Sequence, residues 1–239
     1  MTGEAAALHR CGFAPIVVGM EMFTRHDLTL LFRCLAARME VEQDYLAELD
    51  GEIGDADHGV AMSVGFAAAA DALSDGEAAA PMLADGMVLA ARALLNEIGA
   101  TTGPLYASAL VRAAQALGAT TEIPLARLPE VILAMSDGIA ARGGSKPGDK
   151  TMIDAWAPAA HVARSGLAAD RDVARILEDA AAAAAEGAQA TRAMMAVKGR
   201  AARLGPRSVG HVDPGAASAA ALLDSMAQWA VARLRPAWT

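Results

Sequence analysis

Leu28, Leu31, Phe32, Leu35, Met39, Leu46 and Leu49 recur at steps built from threes and fours, which predicts one long amphipathic helix. Asp27 stands where a cap belongs, and an acidic stretch rich in glycine ends the helix. A second helix is expected from Gly59–Val60 through Phe66 to Leu73, and a third from Pro81 to a stop at Gly99. Thr102 and Pro104 open a fourth that runs to Gly118. A fifth covers about Leu128–Ala141, with Gly143 just past its end. The sixth is expected from Lys150 to Ala163, the seventh from Val173 to Val197, and the eighth from Pro214 or Gly215 to Leu234. The Ala180–Ala185 run continues the seventh helix, because alanine is the best helix former. No hairpin signal interrupts the series and no low-complexity linker divides it. Eight helices on short loops predict an all-α bundle or barrel.

Composition supports this picture. The hydrophobic fraction is 54% but aromatics are only 4%, which suits alanine-rich helices packed closely together. A chain of 239 residues accommodates one domain with a large core, expected over residues 23–239. Residues 1–22 read as an N-terminal extension. Its short apolar piece, Phe13–Met20, is followed by no small-residue cleavage site, and Met20 or Met22 could serve as the start. A net charge of −8 argues against nucleic-acid and anionic-membrane partners. Cys11 and Cys34 form neither a disulfide framework nor a metal-ligand spacing, so Cys34 is expected simply to pack. A reducing cytoplasm follows as the expected location, and no apolar run is long enough to span a membrane.

The candidate chemistry begins at Leu49–Gly59, where Asp50, Asp55 and Asp57 crowd among Gly51, Gly54 and Gly59. Three carboxylates at this spacing repel one another unless a cation sits between them. Hard oxygen ligands suit Mg²⁺ or Ca²⁺, but an EF-hand is excluded because its later ligand positions hold Gly59 and Phe66. Mg²⁺ completes its shell with water and phosphate oxygens, and Gly59 at a helix start would offer backbone N–H groups to an anion. A structural acidic turn is the competing reading.

Three further loops carry possible anion chemistry. Gly99–Pro104 ends at a helix N-terminus, where Thr101 and Thr102 either cap the helix or hold a phosphate. Gly143–Thr151 nearly spells a phosphate-binding Walker loop, but Asp149 interrupts it and a helix rather than a strand precedes it, so that reading fails. Asp149 and Asp154 are expected to be structural caps there. In Lys198–Ala216, Lys198, Arg200, Arg203 and Arg207 fall within ten residues of an otherwise acidic chain. Beside a tri-aspartate site such cations suit polyphosphate, because phosphoryl transfer is catalysed mainly by positioning and charge neutralisation. His58 and His211 lie in these loops, and the five histidines form no zinc motif.

Taken together, Leu49-Asp-Gly-Glu-Ile-Gly-Asp-Ala-Asp-His-Gly59, Thr102-Gly-Pro-Leu-Tyr106, Gly148-Asp-Lys-Thr-Met-Ile-Asp-Ala155 and the Lys198–Ala216 loop resemble the L subunit of dihydroxyacetone kinase, over about residues 25–235. The resemblance implies an eight-helix antiparallel barrel with ADP or ATP and two Mg²⁺ ions in the loops at one end. It implies that Asp50, Asp55 and Asp57 hold Mg²⁺ and that His58, Gly59, Thr101 and Thr102 contact phosphate. Gly143, Met152, Arg200, Asp213, Pro214 and Gly215 would surround the nucleotide. Departures from the family pattern are Ala61 for the usual Asn, Ala107 for the Gly after Tyr106, and Thr101–Thr102 for an Ala-Ser pair. The implied partner is a K subunit that binds the keto-sugar, and no side chain of this chain need act as a nucleophile. Three readings stay open: a subunit whose ADP is recharged by a phosphotransferase-system protein, an ATP-exchanging subunit serving a triose or tetrose, and a nucleotide-binding regulatory module without turnover.

Overall fold

A computed structural model describes residues 21–99 and 101–235. Eight α-helices are present among them: α1 (Arg25–Ile53), α2 (His58–Asp75), α3 (Leu83–Glu97), α4 (Thr102–Leu117), α5 (Leu128–Gly143), α6 (Ile153–Ala168), α7 (Val173–Ala190) and α8 (Pro214–Leu234). Each packs on its neighbours in sequence, and α8 closes on α1. With short connections this is an up-and-down ring, the all-α antiparallel barrel anticipated above. Phe13–Met20 and Cys11 lie outside the described residues. No helix among the described residues is long and apolar enough to cross a membrane.

Two three-residue strands, β1 (Met22–Thr24) and β2 (Glu122–Pro124), pair antiparallel with Phe23 opposite Ile123. They clasp the entry of α1 to the α4–α5 connection, and three residues are too few to leave an alternating pattern in the sequence. Thr24, not Asp27, is the N-cap of α1. Asp27 is the partner in a capping box, taking hydrogen bonds from the Thr24 N–H at 2.8 Å and the Thr24 hydroxyl at 2.7 Å. Its other oxygen accepts from Arg233 at 2.6 Å, tying the start of α1 to the end of α8.

Inside the ring the few aromatics form a continuous stack. Phe32–Phe66, Phe66–Tyr106 and Tyr106–Trp156 have ring centroids 6.2, 5.7 and 6.5 Å apart, linking α1, α2, α4 and α6. Alanines fill the closer helix contacts, with Ala69, Ala90, Ala109, Ala113, Ala159 and Ala180 fully buried. Cys34 is buried with them, as expected of a residue on the apolar face of α1. Phe66→Ala removes the middle of the stack and is expected to cost about 3–5 kcal/mol of folding stability. Chemical denaturation monitored by circular dichroism measures it.

Candidate metal and nucleotide site

In an up-and-down ring every second connection lies at the same end. The α1–α2, α3–α4, α5–α6 and α7–α8 linkers therefore converge, and residues from all four line one cavity of about 390 Å³. The short β1–β2 clasp belongs to the opposite end.

The acidic stretch does not begin where the periodicity suggests. Helix α1 continues through Ile53, so Asp50 sits in its last turn and is 8% exposed. Its carboxylate accepts the backbone N–H groups of Asp57 at 3.0 Å and His58 at 3.2 Å, which ties the turn to the start of α2. A Cβ on Gly54 would collide with this carboxylate, so the turn requires glycine there. Asp55 and Asp57 stand exposed beyond it, and one ligand oxygen from each of the three aspartates lies within 4.8 Å of the others. Octahedral Mg²⁺ with oxygens at 2.0–2.1 Å spans about 4 Å between opposite ligands, so small side-chain rotations bring the set into range. The donor set fits a hard divalent cation. Arg200 already supplies positive charge here: its guanidinium donates to Asp55 and, at 3.1 Å, to Asp57. Those carboxylates hold its pKa above the usual value, with Asp57 contributing most.

His58 lines the cavity, but its ring is buried and Nε2 lies 2.9 Å from the Ser218 hydroxyl on α8. Burial lowers its pKa against the pull of Asp50 and Asp57. The Ser218 hydroxyl in turn donates to Gly215 O at 3.0 Å, tying the ring to the first turn of α8. Gly59 is absent from the cavity lining. A Cβ there would strike the backbone of Gln43 and Ala47, so this glycine lets α2 approach α1 closely.

Across the cavity, Thr101 and Thr102 both line it, and α4 has no side-chain cap hydrogen bond, so the capping role does not hold. Ala61 lines the cavity as well. Gly143 and Met152 come from either end of the α5–α6 linker. Asp154 caps that linker, accepting from Gly148 N at 2.5 Å and Thr151 N at 2.8 Å, and Asp149 accepts from Lys146 N at 3.1 Å. Helix α6 starts at Ile153 rather than Lys150, because Lys150 has a left-handed backbone with φ of 58°.

Helix α7 ends at Ala190 rather than Val197, and a long return follows it. Lys198 clips that return to the α5 end, donating to Gly143 O at 3.0 Å and Gly144 O at 2.6 Å. Asp213 is the N-cap of α8, accepting from Ala216 N at 2.7 Å, and lines the cavity with Pro214 and Gly215. Desolvation pushes the Asp213 carboxyl up to about 7, opposed by the Ala216 N–H and by Lys150. Arg200 lines the cavity too, and His211 pairs with Glu52 at 3.2 Å just outside it. Lys198, one of the cations noted in the sequence, lines the cavity too, whereas Ser145, Lys150 and Thr151 are lining residues to which sequence reasoning gave no role at the site. The near-Walker pattern drew attention to Lys150 only to exclude it, and nothing in the sequence announces its backbone conformation.

Carboxylates, basic side chains and two helix starts thus meet at one end of an all-α ring. Residues 52–228 match the model of the DAK2 domain, and the chain belongs to that family. It is 40% identical over 191 residues to the ADP-binding subunit DhaL of the PEP-dependent dihydroxyacetone kinase of Escherichia coli (strain K12), spanning 78% of this chain and 88% of that subunit. It is 35% identical over 199 residues to L-erythrulose 1-kinase of Mycolicibacterium smegmatis, spanning 82% of this chain but 34% of that kinase. The crystal structure of dihydroxyacetone kinase from C. freundii with AMP-PNP and Mg²⁺ superimposes with a TM-score of 0.64 at 25% identity. That match covers 92% of this chain and 35% of the kinase.

A carboxyl raised from 3.8 to about 7 binds its proton more tightly in the folded state. Its stabilising contribution is therefore complete below about pH 4 and is lost as pH rises through 7. Asp213→Asn keeps an N-cap oxygen while removing this titration. The variant is expected to melt above the wild type at pH 8, with the difference fading towards pH 4. Thermal melts of the nucleotide-free proteins across that range test it.

Proposed function

We propose that this chain is the nucleotide- and Mg²⁺-binding subunit of a dihydroxyacetone-type kinase. In this reading it holds ADP or ATP with two Mg²⁺ ions and passes a phosphoryl group to a small ketose carried by a separate K subunit. The observation that carries the reading is the meeting of three aspartate oxygens within 4.8 Å at a cavity lined from all four linkers of one barrel end. Asp50, Asp55 and Asp57 would hold the metal. His58, Thr101 and Thr102 border the phosphate side, with Gly59 in the first turn of α2 holding that helix against α1. Gly143, Met152, Arg200 and Asp213–Gly215 enclose the nucleotide. When bound, Mg²⁺ offsets the charge on the phosphate oxygens during transfer.

The chain's own contribution is positioning and charge. Arg200 can exchange its carboxylate partners for phosphate oxygens, and the first residues of α4 and α8 line the cavity, where a helix start favours an anion. In the transfer, the bond from the β,γ-bridging oxygen to the γ-phosphorus breaks as a ketose hydroxyl oxygen bonds that phosphorus. The hydroxyl proton leaves to a base on the acceptor side, and ADP stays with this chain. A partner presenting the ketose must cover this end. The exposed Val60, Val64, Leu95, Met195, Val197 and Val209 belong to the elements around it, which supports docking of the K subunit there.

The donor we infer is a phosphoprotein of the phosphotransferase system, which recharges resident ADP. Relatives matched over 88–89% of their own length are named PEP-dependent or PTS-dependent kinase subunits. A cytoplasmic location belongs to this reading. An ATP-exchanging subunit is the second reading, and the match to L-erythrulose 1-kinase favours a tetrose as its acceptor.

Reconstitution with a cognate K subunit, dihydroxyacetone and either donor tests both. Wild-type protein is expected to form dihydroxyacetone phosphate with the phosphoprotein. Asp55→Asn and Asp57→Asn should each weaken Mg²⁺-ADP binding about tenfold or more and slow the transfer. Their melting temperatures without nucleotide should stay near wild type, since exposed ion pairs such as those to Arg200 contribute ~0–1 kcal/mol. Undiminished affinity in both variants contradicts the metal assignment, and transfer from ATP alone favours the second reading.

A further inference from the structure

Lys150 is 1% exposed, which is rare for a lysine whose charge is not paired directly with a carboxylate. It also holds a left-handed backbone at φ of 58°, a conformation that a side-chain-bearing residue adopts at a cost and that persists only where surrounding contacts impose it. The contacts are specific. Its ammonium donates to Thr191 O at 2.7 Å and to His211 O at 2.5 Å, two carbonyls at opposite ends of the α7–α8 return. The Thr191 hydroxyl in turn accepts from Asp213 N at 2.9 Å, and Asp213 caps α8 through Ala216 N. An apolar side chain would fill the same volume without the desolvation cost. What lysine alone supplies here is a cationic donor able to hold two carbonyls at once.

We propose that Lys150 is a positioning residue for the nucleotide. It clamps the end of α7 to the end of the basic return, and so fixes the α8 N-terminus in the wall of the cavity. The clamp sits beneath a helix start that favours anions, and the buried ammonium adds a fixed positive charge behind it. Asp154 and Asp213 partly neutralise that charge, so fixing the backbone is the larger share of its effect. Gly215 lies against Met152, two residues beyond the lysine, so displacing the α8 start also opens the wall next to Met152. The inference rests on the nucleotide-binding reading above, but concerns a residue that reading does not use.

Lys150→Met removes the clamp, and Lys150→Arg keeps the charge with a planar fork ill-suited to the same two carbonyls. Wild-type protein is first titrated with Mg²⁺-ADP by calorimetry; no binding there defeats the nucleotide reading itself. Given wild-type binding, both variants are expected to fold with wild-type helix content. Lys150→Met should bind Mg²⁺-ADP at least tenfold more weakly, with Lys150→Arg intermediate. Hydrogen exchange in the ligand-free protein should accelerate at residues 212–217 and not in α2 or α4. Wild-type affinity in a folded variant overturns the proposal. So does loss of the fold in both variants, or exchange that rises evenly through all helices, because either makes Lys150 a general structural residue.

Discussion

Closure of α8 on α1 is the constraint on which the remaining structure depends. Once eight helices alternate in direction around a ring, the four odd-numbered connections must share an end. Residues separated by 143 to 160 positions then meet without any long crossover. The consequence is visible in Arg200, which reaches Asp55 and Asp57, and in His58, which reaches Ser218. The Asp27–Arg233 bridge and the β1–β2 clasp reinforce the same closure from the opposite end. Closure is therefore a functional requirement here as well as a packing one.

At the converging end the electrostatics are deliberately unbalanced. Three carboxylates crowd within ion-ligand distance, while two helix N-termini, Arg200 and Lys198 supply positive potential around them. Arg200 satisfies two of the carboxylates, but as an exposed pair it contributes little to stability. That leaves the guanidinium inexpensive to redirect towards phosphate. Asp213 and Lys150 occupy the buried layer beneath. Each has its ordinary ionisation weakened by burial and partly restored by the other.

The helices were legible because each carries apolar residues at three- and four-residue spacing, and the site because four separate loops each kept a recognisable run of residues. What escaped is physical in origin. Asp50 belongs to a helix whose last turn is polar, so the periodic signal stops before the helix does. The close contact with α1 that Gly59 permits depends on Gly59 meeting Gln43 and Ala47, which no local pattern announces. The β1–β2 clasp is too short for a pattern. The end of α7 is hidden because alanine-rich sequence continues smoothly into Thr191, and only the hydroxyl bond to Ala188 O and the demands of Lys150 mark the turn. Long-range backbone clamps leave no local trace.

The central claim is that metal and nucleotide share one site built from these loops. Linkage measures this directly: ADP affinity is determined over a range of free Mg²⁺, and Mg²⁺ affinity over a range of ADP, by calorimetry on the same protein. The account predicts that each ligand tightens the other by the same factor, as thermodynamic reciprocity demands of coupled sites. ADP affinity independent of Mg²⁺ would contradict it.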